Sequence, residues 1–129
     1  MSGIKLIDTS ALIEYLDQTG KGKQVKEIIE EENIEILIPS IVIAELTSKL
    51  KRRKLDTKIV LKICESSTVL DLDDEIARIA GELHAELKLK IDSISLADCI
   101  IATHAQNENA QIITCDHHFK EYKNAKIIE

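Results

Sequence analysis

Four acids stand out by where they fall along the chain: Asp8, Glu45, Asp98 and Asp116. Asp8 directly follows the apolar run Ile4-Lys5-Leu6-Ile7, and Asp116 directly follows the run from Gln111 to Cys115. Glu45 and Asp98 sit near the starts of helical patterns that follow loops. In open parallel α/β sheets, sites form beyond the carboxyl ends of the strands, and each acid falls where the chain passes that edge. Hard divalent cations take oxygen ligands, and Mg²⁺ is typically held by a few carboxylates together with water and phosphate. Metal-assisted hydrolysis of a phosphodiester needs such a convergent set.

Taken singly, each acid also has a plain structural reading. An Asp after a strand is commonly a turn or cap residue. Asp98 is third after Ser95, as in a capping box at a helix start. Glu45 with Lys49 is an ordinary i,i+4 pair, and Asp116 before His117-His118 can close a turn. Glu45 differs in its surroundings, because Ile41, Val42, Ile43, Ala44 and Leu46 flank it. A carboxylate embedded in that run is expected to be partly buried, and a buried charge needs a partner.

The elements that must position these acids alternate between strand and helix. Ile4–Ile7 reads as a strand, and Ser10 as the cap of a helix through about Asp17 with Leu12, Ile13 and Leu16 on one face. Gly20-Lys21-Gly22 reads as a break before a second helix marked by Val25, Ile28 and Ile29. Residues 34–38 form a second strand stopped by Pro39, and Ser40 caps a helix turning Ile43, Ala44 and Leu46 inward. A helix over about 56–65, a strand over 69–72 and a helix opened by Asp73 and Asp74 follow, the last with Ile76, Ile79, Ala80 and Leu83 inside. Ser95 opens a helix reaching about Asn107, and strands over 111–115 and 125–128 close the chain. This alternation predicts an α/β fold with a parallel sheet. The strands are apolar without clean alternation, as expected when helices cover both faces. One three-layer domain over residues 1–129 is the expectation.

Composition narrows the function classes. Of the 129 residues, 44% are hydrophobic and 31% charged, which suits a packed core and a solvated surface. Tyr15, Phe119 and Tyr122 are the only aromatics, so base stacking on aromatic platforms is disfavoured. No basic-then-apolar leader follows Met1, and no apolar stretch is long enough to cross a bilayer. Cys64, Cys99 and Cys115 form no CxxC pair and read as reduced, buried thiols of a cytoplasmic protein. Net charge is −6, yet Lys49, Lys51, Arg52, Arg53 and Lys54 cluster; subtracting those five charges leaves −11 for the rest. An acidic body with one basic patch is a polarised molecule. If the helix from Ser40 continues, Lys49, Arg52 and Arg53 follow Glu45 at i+4, i+7 and i+8, on roughly one face. Phosphates of an RNA strand could be drawn along that face.

Four segments in order resemble the motifs of PIN domains. Asp8-Thr9-Ser10-Ala11-Leu12 after an apolar strand is similar to the opening motif, and Val42-Ile43-Ala44-Glu45-Leu46 to the second. Leu96-Ala97-Asp98-Cys99-Ile100-Ile101-Ala102 resembles the third, and Ile113-Thr114-Cys115-Asp116-His117-His118-Phe119 the fourth. The resemblance spans essentially the whole chain and is nearest to VapC-type toxins of toxin–antitoxin pairs. It implies a three-layer α/β/α sandwich with about five parallel strands in the order 3-2-1-4-5. It also implies a ribonuclease in which Asp8, Glu45, Asp98 and Asp116 hold one or two Mg²⁺ or Mn²⁺ ions. Such a metal lowers the pKa of water for in-line attack and stabilises developing charge, leaving 5′-phosphate and 3′-hydroxyl ends. Ser10 and Thr114 match hydroxyl positions that support the acids. An RNA substrate, a small antitoxin partner and a homodimer, with apolar surface on the helices between the second and third strands, are further implications. Thr103-His104 departs from the small residues usual at that place.

Other readings find less in the residues. Cys115, His117 and His118 match no common zinc spacing and read better as surface histidines. Gly3, Gly20, Gly22 and Gly81 make no phosphate loop, and no Ser stands in a nucleophile elbow. A housekeeping RNA-processing nuclease is the alternative within the same class. From other classes come a non-catalytic interaction domain and a Mg²⁺-binding receiver. The receiver requires paired acids near the first strand and a Lys after the fifth; here Thr9 and Ser10 follow Asp8.

Overall fold

Five short parallel strands carry the architecture: β1 (Ile4–Ile7), β2 (Glu35–Pro39), β3 (Thr68–Leu70), β4 (Gln111–Thr114) and β5 (Ala125–Ile127). They lie in the order β3-β2-β1-β4-β5 in a computed structural model that describes residues 3–129. Between them run α1 (Thr9–Leu16), α2 (Gly20–Ile29), α3 (Ser40–Arg52), α4 (Lys58–Glu65), α5 (Asp74–Lys88) and α6 (Leu96–Glu108). Consecutive strand residues point to opposite faces, and consecutive residues of the three central strands are all buried: Leu6 and Ile7, Leu37 and Ile38, Ile112 and Ile113. Both faces of the sheet are therefore covered, and the three-layer α/β expectation holds. Each such side chain contributes roughly 1.5–3 kcal/mol by leaving water. The strand order also argues against a receiver, since flavodoxin-like sheets run 2-1-3-4-5; here β3 pairs with β2 at the outer edge, with Leu37 opposite Thr68.

The order reverses at β1, which pairs with β2 on one side and β4 on the other. The ends of β1 and β4 thus stand side by side, with Ile7 opposite Ile113, and Asp8 follows at the switch point.

Several local expectations need correction. Asp8, not Ser10, caps α1: its backbone is extended and its side chain accepts the Thr9 amide hydrogen. This frees the Ser10 hydroxyl for other partners. The chain breaks after α1 at Gln18, which takes a left-handed φ of 56°, and not at the glycines. Thr19 then caps α2 by accepting from Gly22 N. Gly22 is required there by close approach, because a Cβ would lie 2.0 Å from the Glu14 carbonyl oxygen of α1. Pro39 belongs to β2 and precedes α3 without a side-chain cap, so Ser40 is the first helical residue.

The inner stripe of α3 is Val42, Leu46 and Leu50, at i, i+4 and i+8, while Ala44 faces out. In α5, Ile76 and Ala80 are buried but Ile79 is 46% exposed; the helix packs mainly on α6, and one neighbour covers a narrower stripe. Strand β3 ends at Leu70, leaving Asp71 and Leu72 in the loop before Asp73, which caps α5. A 3-10 turn at His117–Phe119, unforeseen in the sequence, follows β4 and is anchored by fully buried Phe119. Of the three unpaired cysteines only Cys99 is buried; Cys64 and Cys115 are half-buried.

Candidate metal-binding cleft

Asp8 is 5% exposed and sits at the end of β1 with three donors around it. Its Oδ1 accepts from Thr9 N at 2.8 Å, and its Oδ2 accepts from Ser10 Oγ at 3.0 Å and Thr114 Oγ1 at 2.7 Å. The same hydroxyls also accept: Ser10 Oγ from Cys115 N at 2.9 Å, and Thr114 Oγ1 from Asp116 N at 2.9 Å. Two short polar side chains therefore fix both the Asp8 carboxylate and the backbone that carries Asp116. Burial pushes Asp8 up to about 6, against the pull of the Thr114, Ser10 and Thr9 hydrogen bonds, and the nearby Asp98 charge adds to the rise. Among the described residues Asp8 has no cationic side chain as an ion-pair partner.

Glu45 is half-buried on α3, and the partner its setting called for is Thr9, whose Oγ1 donates to Glu45 Oε1 at 2.8 Å. Thr9 thus links two acids from different elements, its amide to Asp8 and its hydroxyl to Glu45. Sequence reasoning missed this residue. Its signal was a hydroxyl one position after a strand-end Asp.

The opposite side of the cleft is built differently. Asp98 completes a capping box at the start of α6: Ser95 Oγ accepts from Asp98 N at 3.0 Å, and Asp98 Oδ2 accepts from Ser95 N at 3.3 Å. Asp116 Oδ1 accepts from His118 N at 2.8 Å, which pins the 3-10 turn. The plain structural readings of both acids are therefore correct as far as they go. Between these acids stands His118, with Nδ1 3.4 Å from Asp98 Oδ2 and 3.3 Å from Asp116 Oδ1. Its ring is not a bystander at the surface, as the sequence suggested; only His117, 63% exposed and 3.4 Å from Glu129, fits that reading. Cys115 and His117 do not join His118 in a zinc-type cluster. Among the described residues, ligand atoms of Asp98, Asp116 and His118 lie within 4.8 Å of one another.

One cleft of about 440 Å³ takes in all four acids, with Lys49 and Arg52 on its wall. Arg53 turns away: it follows the end of α3 and pairs with Asp17 at 3.0 Å. The donor set suits a divalent cation on its chemistry. A buried carboxylate without a cationic partner and three half-buried carboxylates line one space, the His118 imidazole stands against two of them, and positive charge there would relieve the mutual repulsion of the acids.

The chain belongs to the PIN domain family, whose model matches residues 5–125. Among solved structures it is similar to VapBC2 from Rickettsia felis bound to a promoter DNA fragment. That match has 26% identity, covers 98% of this chain and 99% of that one, and has a TM-score of 0.75. A toxin–antitoxin complex from Klebsiella pneumoniae matches at 21% identity over 97% and 98% of the two chains, with a TM-score of 0.79. The sarcin-ricin loop cleaving toxin VapC20 of Mycobacterium tuberculosis matches at 14% identity over 97% and 99%, with a TM-score of 0.79. A search of curated protein sequences finds no match. No helix among the described residues is long and apolar enough to cross a membrane.

Proposed function

We propose that this chain is a divalent-metal-dependent ribonuclease acting as the toxin of a VapBC-type toxin–antitoxin pair. The observation that carries the reading is the single cleft at the sheet's switch point, where Asp8, Glu45, Asp98 and Asp116 meet beside Lys49 and Arg52. Asp98 and Asp116 are the acids with ligand atoms close enough to share one ion; Asp8 and Glu45 close the other side and add negative charge. Mg²⁺ or Mn²⁺ held there would activate water and offset charge on the phosphate. Ser10 and Thr114 hold Asp8 in place, and Thr9 holds Glu45. Lys49 and Arg52 would bind the phosphates of an RNA strand and draw it to the acids.

The solved relatives from Klebsiella and Rickettsia are complexes with antitoxins, which supports a small antitoxin as partner here. A cationic side chain from it would suit the acidic cleft. Exposed Leu61 on α4 and Leu55 just before it supply apolar surface for a homodimer. Three unpaired thiols suit a reducing cytoplasm.

The test is incubation of the purified protein with a structured RNA pool in Mg²⁺, in Mn²⁺ and in chelator, followed by mapping of the ends. Cleavage that depends on metal and leaves 5′-phosphate and 3′-hydroxyl ends is expected. Equal cleavage in chelator would overturn the metal reading, and intact RNA under every condition would overturn the nuclease.

A further inference from the structure

We propose that His118 is a nitrogen ligand of the metal in this cleft, with Ser93 as its positioning residue, and that it biases the site toward first-row transition ions over Mg²⁺. The proposal rests on the metal reading of the cleft and goes beyond its four acids. His118 Nδ1 points between two carboxylate oxygens, 3.4 Å from Asp98 and 3.3 Å from Asp116. Adjacent donors on one octahedral ion with bonds of about 2.1 Å stand about 3 Å apart. The two spacings from His118 are close to that, and the three ligand atoms all lie within 4.8 Å of one another, so a modest closing of the acids brings three donors onto one ion.

The second nitrogen supports this role. His118 Nε2 lies 3.2 Å from Ser93 Oγ, in the loop between α5 and α6. With Nε2–H donating to that hydroxyl, the Nδ1 lone pair faces the two acids. Metal-bound histidines ordinarily have their other ring nitrogen held in this manner, which fixes tautomer and ring orientation. All three ligands are held independently of any ion. The capping box fixes Asp98, the His118 amide fixes Asp116, and buried Phe119 anchors the turn that carries the ring.

The ligand chemistry gives the selectivity. Mg²⁺ prefers oxygen and gives up water reluctantly, whereas imidazole favours later transition ions such as Co²⁺, Ni²⁺ and Zn²⁺. One nitrogen among oxygens therefore raises the affinity for such ions more than that for Mg²⁺. Mn²⁺ binds less strongly in that series but reports its ligands spectroscopically.

The experiment is metal titration of the full chain and of His118→Ala, Ser93→Ala and Asp116→Asn, with Mg²⁺, Mn²⁺ and Co²⁺, followed calorimetrically. Pulsed EPR on the Mn²⁺ forms reads ¹⁴N coupling. The parent should bind all three ions and show imidazole ¹⁴N coupling. His118→Ala should lose the coupling and bind Co²⁺ at least about tenfold more weakly, a loss of about 1.4 kcal/mol, with a smaller change for Mg²⁺. Ser93→Ala should keep the coupling with a lesser loss, and Asp116→Asn should weaken all three ions. A parent that binds Mn²⁺ without ¹⁴N coupling, or a His118→Ala variant that binds Co²⁺ as tightly as the parent, overturns the proposal and leaves the acidic metal site standing. A parent that binds none of the ions overturns the cleft reading and the proposal together.

Discussion

Asp8 and Asp98 line one cleft and are held in opposite ways. Asp8 is buried, and protein donors take both of its oxygens: one amide and two hydroxyls. Asp98 is half-buried at a helix start, and among the described residues its side-chain hydrogen bond falls on Oδ2 alone. The first arrangement fixes a charge at the cost of desolvating it; the second leaves lone pairs turned to the cleft. A site made only of the first kind would be rigid but closed to a ligand. A site made only of the second would be open but loosely placed. Ser10 and Thr114 tie Asp8 to the backbone that carries Asp116, and Thr9 ties it to Glu45, so the fixed wall of the cleft stands beside an open one.

The largest expected effect tests whether the two sides act as one site. Asp8→Asn and Asp116→Asn keep shape and remove charge, and each should lower RNA cleavage on the order of a thousandfold, roughly 4 kcal/mol of barrier. A single-turnover assay reads this; full activity in Asp8→Asn would detach the buried side from the chemistry.

The next effect separates the sides by pH. Burial holds the Asp8 proton up to about 6, above the ordinary 3.8, so the folded chain binds it more tightly than the unfolded one. Between those values the metal-free fold carries a proton that the unfolded chain has lost. The Asp8 contribution to stability therefore falls as pH rises through that window, by on the order of 3 kcal/mol in total. Denaturant titrations in chelator from pH 4 to pH 7 should show this fall relative to Asp8→Asn, which has no proton there to lose. Identical pH profiles would mean that the hydrogen bonds outweigh burial.

The smallest effect concerns the basic patch. Lys49→Ala and Arg52→Ala should each reduce the slope of log affinity for single-stranded RNA on log salt by about 0.7. Arg53→Ala should change it less, because Arg53 pairs with Asp17 outside the cleft. Equal slopes for all three variants would show that the patch is only a solvated face.

The strand-end acids were legible because an apolar run followed by Asp is visible in one dimension, as at Ile4–Asp8 and Gln111–Asp116. The sheet order came through the likeness to PIN domains, since no local pattern encodes which strands adjoin. Cap positions were less readable. Asp8 and Ser10 are both good caps, and only the backbone geometry decides between them. The place of His118 between Asp98 and Asp116 was not legible because it depends on the 3-10 turn, set by the His118 amide donating to the Asp116 side chain, and on Ser93, 25 residues away. Helical spacing puts Arg53 on the Glu45 face, but α3 ends at Arg52, Arg53 is its C-cap, and its side chain turns to Asp17. The departure at Thr103-His104 proves to be internal: both are buried on α6, His104 Nε2 has no hydrogen-bond partner among the described residues, and burial pulls its pKa down.

Whether Asp98 is a metal ligand as well as a helix cap decides the account most directly, and thermal melts answer it. Ser95→Ala and Asp98→Asn both weaken the capping box, at about 1 kcal/mol, so both are compared with the parent in chelator and in saturating Mg²⁺. An ion bound only by the folded state raises the melting temperature. The expected result is that Ser95→Ala melts lower in chelator yet gains as much from Mg²⁺ as the parent does, while Asp98→Asn loses most of that gain. An Asp98→Asn variant that keeps the parent's full rise with Mg²⁺ would contradict the account and leave Asp98 a helix cap alone.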